Sequence, residues 1–134
     1  MAHILIADDD AHLVELMATI LAEDGHSIST SVSGAETLMK LGIKPEDAGV
    51  ELPDLILLDI IMPQLDGYTL GTVIRNNPRT RVVPILVVSA LQEMMRLFTA
   101  TVQVDGFLAK PFTPEGLVGK VAEILEKHRA PVQA

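Results

Sequence analysis

Short apolar runs alternate along the chain with longer stretches in which apolar residues recur every three or four positions. Ile4-Leu5-Ile6-Ala7 reads as a short buried strand. Leu13, Leu16, Met17, Ile20 and Leu21 then share the spacing of one helical face. Asp10 can cap that helix, and Gly25 lies just past its end. Residues 27–32 alternate small polar and β-branched side chains and predict a weaker strand. A short helix over 35–41 follows and stops at Gly42. Residues 55–58 and 85–88 are apolar throughout and predict buried strands. Between them, 67–77 carries Leu70, Val73 and Ile74 at helical spacing. Pro45, Gly49 and Pro53 make 42–53 a loop. A fourth helix is predicted over 91–102 and a last short strand over 106–109. Thr113-Pro114-Glu115 combines a hydroxyl cap, a first-turn Pro and an early acid, a good helix start. Leu117, Val121, Ile124 and Leu125 give that last helix its buried stripe.

Five strand–helix units with strands apolar on both faces imply an α/β fold with a parallel sheet covered on both sides. Right-handed crossovers leave few topologies. The flavodoxin-like, doubly wound, five-stranded order 2-1-3-4-5 matches five units best. One domain is expected over residues 1–129, with 130–134 a short C-terminal tail.

Composition narrows the chemistry. The 134 residues contain no Cys, which removes disulfides, thiolate metal sites and thiol nucleophiles. Aromatic residues are 3%, so the core is aliphatic and base-stacking platforms are scarce. The 10 basic and 18 acidic residues give a net charge of −8, which favours a cation and disfavours direct nucleic-acid binding. No basic, cleavable leader and no membrane-length apolar run is legible, so a cytoplasmic protein without membrane contact is expected. The four His residues, His3, His12, His26 and His128, have no ligand spacing and read as surface or packing residues.

Ligands of an open parallel sheet bind beyond the carboxyl ends of its strands. The first strand ends in Asp8-Asp9-Asp10, the third in Asp59, the fourth in Ser89 and the fifth in Lys110. Carboxylates gathered there repel one another and call for a cation. Oxygen donors suit Mg²⁺, and the Lys and hydroxyl suit an anion sharing the crevice, such as a phosphoryl group. Asp8-Asp9-Asp10 also reads as an overprovided helix cap. Asp59 has no such reading, because it interrupts the apolar residues on either side and is unfavourable there without a partner.

Four segments carry a resemblance: Ile4-Leu5-Ile6-Ala7-Asp8-Asp9-Asp10, Leu57-Leu58-Asp59-Ile60-Ile61-Met62-Pro63-Gln64-Leu65-Asp66-Gly67, Val87-Val88-Ser89-Ala90 and Phe107-Leu108-Ala109-Lys110-Pro111-Phe112. In this order the chain resembles a response-regulator receiver domain of two-component signalling, of the stand-alone, chemotaxis-regulator-like kind. The resemblance implies that Asp59 accepts a phosphoryl group from a sensor histidine kinase or phosphotransfer protein. It implies that Asp8, Asp9, Asp59 and the backbone carbonyl of Ile61 hold Mg²⁺. It gives Lys110 and Ser89 contacts to the phosphoryl group, and makes Ser89 and Phe107 the switch. The face formed by the fourth helix, fifth strand and last helix would then control a downstream protein target, as a monomer or a phosphorylation-dependent dimer. Such a domain is not an enzyme and assists only its own phosphorylation and dephosphorylation. The Lys110-Pro111 bond is expected to be cis.

Some positions depart from the family pattern. The stretch from Ser89 to Lys110 is about one residue shorter than usual, and Val104-Asp105 replaces a small pair before the last strand. Apolar Ile61 and Leu91 would shield the phosphoryl group from water. Two other readings stay open: a receiver fragment of a longer regulator with an output domain, and a Mg²⁺-dependent phosphatase with Asp8 as nucleophile in an Asp8-x-Asp10 pattern.

Overall fold

The computed structural model describes residues 2–59, 67–90 and 103–129. Within them the chain runs β1 (His3–Ala7), α1 (Ala11–Glu23), β2 (Ser27–Ser31), α2 (Gly34–Lys40), β3 (Leu55–Leu58), α3 (Gly67–Asn76), β4 (Ile85–Ser89), β5 (Gly106–Ala109) and a C-terminal helix (Pro114–Arg129). The five strands are all parallel, in the expected order β2-β1-β3-β4-β5. The predicted helix over 91–102, Ile61, the Met62-Pro63 turn and the tail lie outside the described residues.

Alternation along each strand divides the core. Leu5, Ala7, Ile56, Leu58, Ile85 and Val87 face one side, with Leu38, Leu70 and Ile74 from α2 and α3. Ile4, Ile6, Leu55, Leu57, Leu86 and Val88 face the other, against Val14, Met17 and Leu21 of α1 and Leu117, Val121 and Ile124 of the C-terminal helix. β1, β3 and β4 are covered on both sides, which is why they read as unbroken apolar runs. Each fully buried Leu or Ile there contributes about 1.5–3 kcal/mol.

The face of α1 needs a correction. Val14, Met17 and Leu21 are its buried residues, and Leu16 is 52% exposed. The expected stripe through Leu13, Leu16, Met17, Ile20 and Leu21 is therefore rotated toward Val14. Asp10 caps α1 as predicted, its side chain accepting from the Leu13 N–H at 3.2 Å.

The edge strand β2 is closed by the helix that follows it. Ser33 caps α2 by accepting from the Glu36 N–H at 3.1 Å, and Glu36 Oε1 accepts from the Val32 N–H at 2.9 Å. One turn later Lys40 Nζ donates to the Thr30 carbonyl. These contacts occupy groups that an exposed sheet edge would offer to another chain.

Gly42, with φ +70°, ends α2. A Cβ there would collide with the Asp47 carbonyl oxygen and lie 3.1 Å from Val50 Cβ. Gly42→Ala is therefore expected to destabilise the chain by at least about 2 kcal/mol, since backbone strain and a clash act together. Urea denaturation checks this, and a loss under about 0.5 kcal/mol would contradict it.

Candidate functional site

Sheet order brings the ends of β1 and β3 side by side, and each acid follows its strand directly. The ladder continues one residue past both strands. The Asp8 N–H donates to the Ser31 carbonyl at 3.1 Å, and the Asp59 N–H donates to the Ala7 carbonyl at 3.0 Å. Backbone pairing thus fixes where both carboxylates begin. Asp8 is 1% exposed and Asp59 7%, whereas Asp9 is open to solvent. One carboxylate oxygen from each of Asp8, Asp9 and Asp59 lies within 4.8 Å of the others.

Lys110 reaches the same crevice from the end of β5. Its N–H donates to the Ser89 carbonyl at 3.0 Å, so the β4–β5 ladder sets its position. Nζ lies 2.9 Å from Asp8 Oδ2 and 3.5 Å from Asp59 Oδ2. Asp8 Oδ1 accepts from the Asp10 N–H at 2.9 Å, leaving neither Asp8 oxygen without a donor. Burial disfavours the Lys110 ammonium, but the Asp8 hydrogen bond and the Asp8 and Asp59 charges outweigh it, raising its pKa above the ordinary 10.5. The ammonium is therefore retained at neutral pH. Its contribution to stability is complete below the ordinary Lys value and is lost only as pH rises through the higher folded one. The bond between Lys110 and Pro111 is cis, as expected; Lys44-Pro45 is cis as well.

Ser89 ends β4 and is 1% exposed. The register pairs Val87 with Phe107 and Ser89 with Ala109. Alternation therefore puts Ser89 and Phe107 on one face of the sheet, as diagonal neighbours. Phe107 is half-buried and packs against the cluster containing Ala7, Leu58 and Val87. Asp8, Asp9, Asp59 and Lys110 thus converge, and Ser89 and Phe107 stand beside them on β4 and β5.

The donor set is made of oxygens and belongs to three acids. Octahedral Mg²⁺ needs ligand oxygens roughly 3–4 Å apart, within reach of this cluster after small side-chain shifts. The crevice therefore fits a hard divalent cation, with Lys110 as a competing positive charge. Lys110→Met is expected to lower stability in chelator by about 2 kcal/mol, because it leaves two buried carboxylates without their cation. Added Mg²⁺ should then raise the unfolding temperature of the variant more than that of the wild type. Equal Mg²⁺ responses in thermal scans would contradict this competition.

The fold agrees with that of similar proteins. A family model described as response regulator receiver domain matches residues 4–122. The chain is 33% identical over 131 residues to the DNA-binding dual master transcriptional regulator RpaA of Synechocystis, covering 95% of this chain and 50% of that protein. It is 29% identical to the response regulator SaeR of Staphylococcus aureus, covering 99% of this chain and 56% of that one. The chain thus spans about half the length of these curated relatives. Among solved structures, a putative response regulator from Chloroflexus aurantiacus superposes with a TM-score of 0.80 at 33% identity, covering 92% of this chain and 97% of that one.

Proposed function

The chain belongs to the response regulator receiver domain family, and on that premise we propose that it takes a phosphoryl group onto Asp59 from the phosphohistidine of a sensor histidine kinase or a phosphotransfer protein. The observation that carries this reading is the buried carboxylate of Asp59, set by β3 among Asp8, Asp9 and Lys110. Phosphoryl transfer needs positioning and charge neutralisation more than covalent help. An Asp59 oxygen attacks phosphorus, the P–N bond breaks, and its electron pair returns to the imidazole, which takes a proton from solvent. Asp8, Asp9 and Asp59 would hold Mg²⁺, which when bound supplies positive charge where two anions meet. Lys110 can leave Asp59 for a phosphoryl oxygen while keeping Asp8.

The Ser89 hydroxyl, drawn toward the new phosphoryl group, would leave room for Phe107 to turn further inward. A local charge change would in this way bias a two-state element. The readout face would comprise β5, the C-terminal helix and residues 91–102, and it would control a protein target. Hydrolysis of the acyl phosphate would reset the chain, which acts as a stoichiometric acceptor rather than an enzyme on another substrate. Mg²⁺ as the ion, a cytoplasmic location and a monomer or phosphorylation-dependent dimer complete the reading. No helix among the described residues is long and apolar enough to cross a membrane.

Fluoroberyllate mimics the phosphoryl group without chemistry. With Mg²⁺ it should shift the amide resonances of Asp59, Ser89, Phe107 and Lys110 together, with no shift in chelator. Shifts confined to Asp59 would contradict the coupling to Ser89 and Phe107.

A further inference from the structure

Asp8 is held from three directions: its N–H by the Ser31 carbonyl, Oδ1 by the Asp10 N–H and Oδ2 by Lys110. The Ser31 contact is the one that depends on an edge strand, because Ser31 is the last residue of β2. An edge strand's end is free to shift unless something else holds it.

Beside the contacts of Lys40 to the Thr30 carbonyl and of Glu36 to the Val32 N–H, a pair of buried hydroxyls holds Ser31 itself. Ser31 Oγ and Thr37 Oγ1 are 2.6 Å apart, with Ser31 1% and Thr37 0% exposed. Thr37 Oγ1 also donates to the Ser33 carbonyl at 2.8 Å. A hydroxyl has one proton, so Thr37 uses its own on Ser33 and accepts from Ser31. The chain of hydrogen bonds therefore has one direction, from Ser31 O–H to Thr37 and from Thr37 O–H to the Ser33 carbonyl. It fixes the end of β2 against the first turn of α2. The same residue, Ser31, then presents its carbonyl to Asp8.

We infer that Thr37 is a positioning residue for the acidic crevice: through Ser31 it sets the backbone from which Asp8 reaches the cation. This rests on the reading of Asp8, Asp9 and Asp59 as the Mg²⁺ ligands of a phosphoryl acceptor. Groups that orient metal ligands from behind commonly change metal affinity 10–100-fold when removed. Thr37 acts at one further remove, so the low end applies.

The hydrogen-bond direction orders the variants. Thr37→Val keeps the shape but leaves the buried Ser31 hydroxyl without its acceptor, and should raise the Mg²⁺ concentration for half-maximal phosphorylation about tenfold. Ser31→Ala leaves the Thr37–Ser33 bond intact and should raise it about threefold. Thr37→Ser keeps both bonds and should behave as wild type. The rate at saturating Mg²⁺ should stay close to wild type in all three, because Asp59 and Lys110 are untouched. The experiment is phosphorylation by a small phosphodonor across a Mg²⁺ series, read by intact mass well below each unfolding temperature, with amide shifts of Asp9 and Asp10 following Mg²⁺ alone.

A hydroxyl pair that only supports the fold would lower the unfolding temperature and leave the half-saturating Mg²⁺ concentration unmoved. That result in Thr37→Val overturns the inference, and so does an unmoved value in Ser31→Ala should Thr37→Val not fold. Failure of the wild type to take up phosphoryl at any Mg²⁺ concentration would instead overturn the underlying reading.

Discussion

Asp59→Asn is expected to abolish phosphoryl uptake while leaving the chain folded. The amide nitrogen has no lone pair available for attack on phosphorus, and the amide oxygen is a far weaker nucleophile than a carboxylate oxygen. The change is nearly isosteric at a position only 7% exposed, so packing against β1 and β3 is kept. It also removes one of three negative charges gathered within 4.8 Å. Against this stands the loss of the charge facing Lys110 at 3.5 Å, the longer of that ammonium's two contacts. Relief of repulsion outweighs it, and stability in chelator should rise by about 1 kcal/mol. Stabilisation by Mg²⁺ should nearly vanish with the third carboxylate. Intact mass and thermal scans with and without Mg²⁺ check both halves. The same variant separates the phosphatase reading, in which Asp8 is the nucleophile. There, Asp59→Asn would retain turnover of a phosphate ester and Asp8→Asn would lose it.

The largest stability effect from a single surface-accessible side chain is expected at Arg75, in the last turn of α3. Its guanidinium donates to the Gln103 carbonyl at 2.7 Å, the Arg81 carbonyl at 2.9 Å and the Val83 carbonyl at 2.7 Å. It also pairs with Asp105 Oδ2 at 3.2 Å. Asp105 in turn accepts from the Ile85 N–H at 2.8 Å and meets His128 Nε2 at 2.9 Å. One planar fork thus joins α3 to the starts of β4 and β5, and Asp105 carries the link to the C-terminal helix. Burial lowers the Arg75 pKa and the Asp105 charge opposes that; the group stays cationic at neutral pH. The side chains of Arg75 and Asp105 are 16% and 23% exposed, so solvent screens part of the interaction. Arg75→Ala should cost about 3 kcal/mol, the low end for breaking a buried pair. Arg75→Lys should recover less than half, because an ammonium cannot serve three carbonyls and a carboxylate in one plane. Urea denaturation at neutral pH reads both, and a loss under about 1 kcal/mol in Arg75→Ala would contradict this role.

How much was legible follows from how local each signal was. Leu55–Leu58 agrees with expectation residue for residue because a strand covered on both faces announces itself as an apolar run; Gly106–Ala109 also agrees, although it is a half-buried edge strand. Asp59 was legible because a carboxylate between apolar neighbours has few structural uses. Asp8, Asp9 and Lys110 followed from the rule that strand ends converge. The face of α1 was not legible to one residue. Leu13, Val14, Leu16, Met17, Ile20 and Leu21 are apolar around more than one side, and only tertiary packing decides that Leu16 is left out. The Arg75–Asp105–His128 cluster joins positions 23 to 30 residues apart, beyond any local pattern. Val104-Asp105 stood out only as a departure, and the structure gives Asp105 its use. Ser31 and Thr37 read as ordinary strand and helix residues, because a hydroxyl's burial has no periodic signature. The metal contact expected of the Ile61 carbonyl, the Leu91 shield and the helix over 91–102 lie outside the described residues.

The most direct measurement is the intact mass of the wild-type chain after incubation with a small phosphodonor, with Mg²⁺ and with chelator, followed by mapping of the modified peptide. A gain of one phosphoryl group that requires Mg²⁺ and maps to Asp59 is the predicted result. No gain with Mg²⁺ present, or a gain that maps elsewhere, would contradict Asp59 as the phosphoryl acceptor.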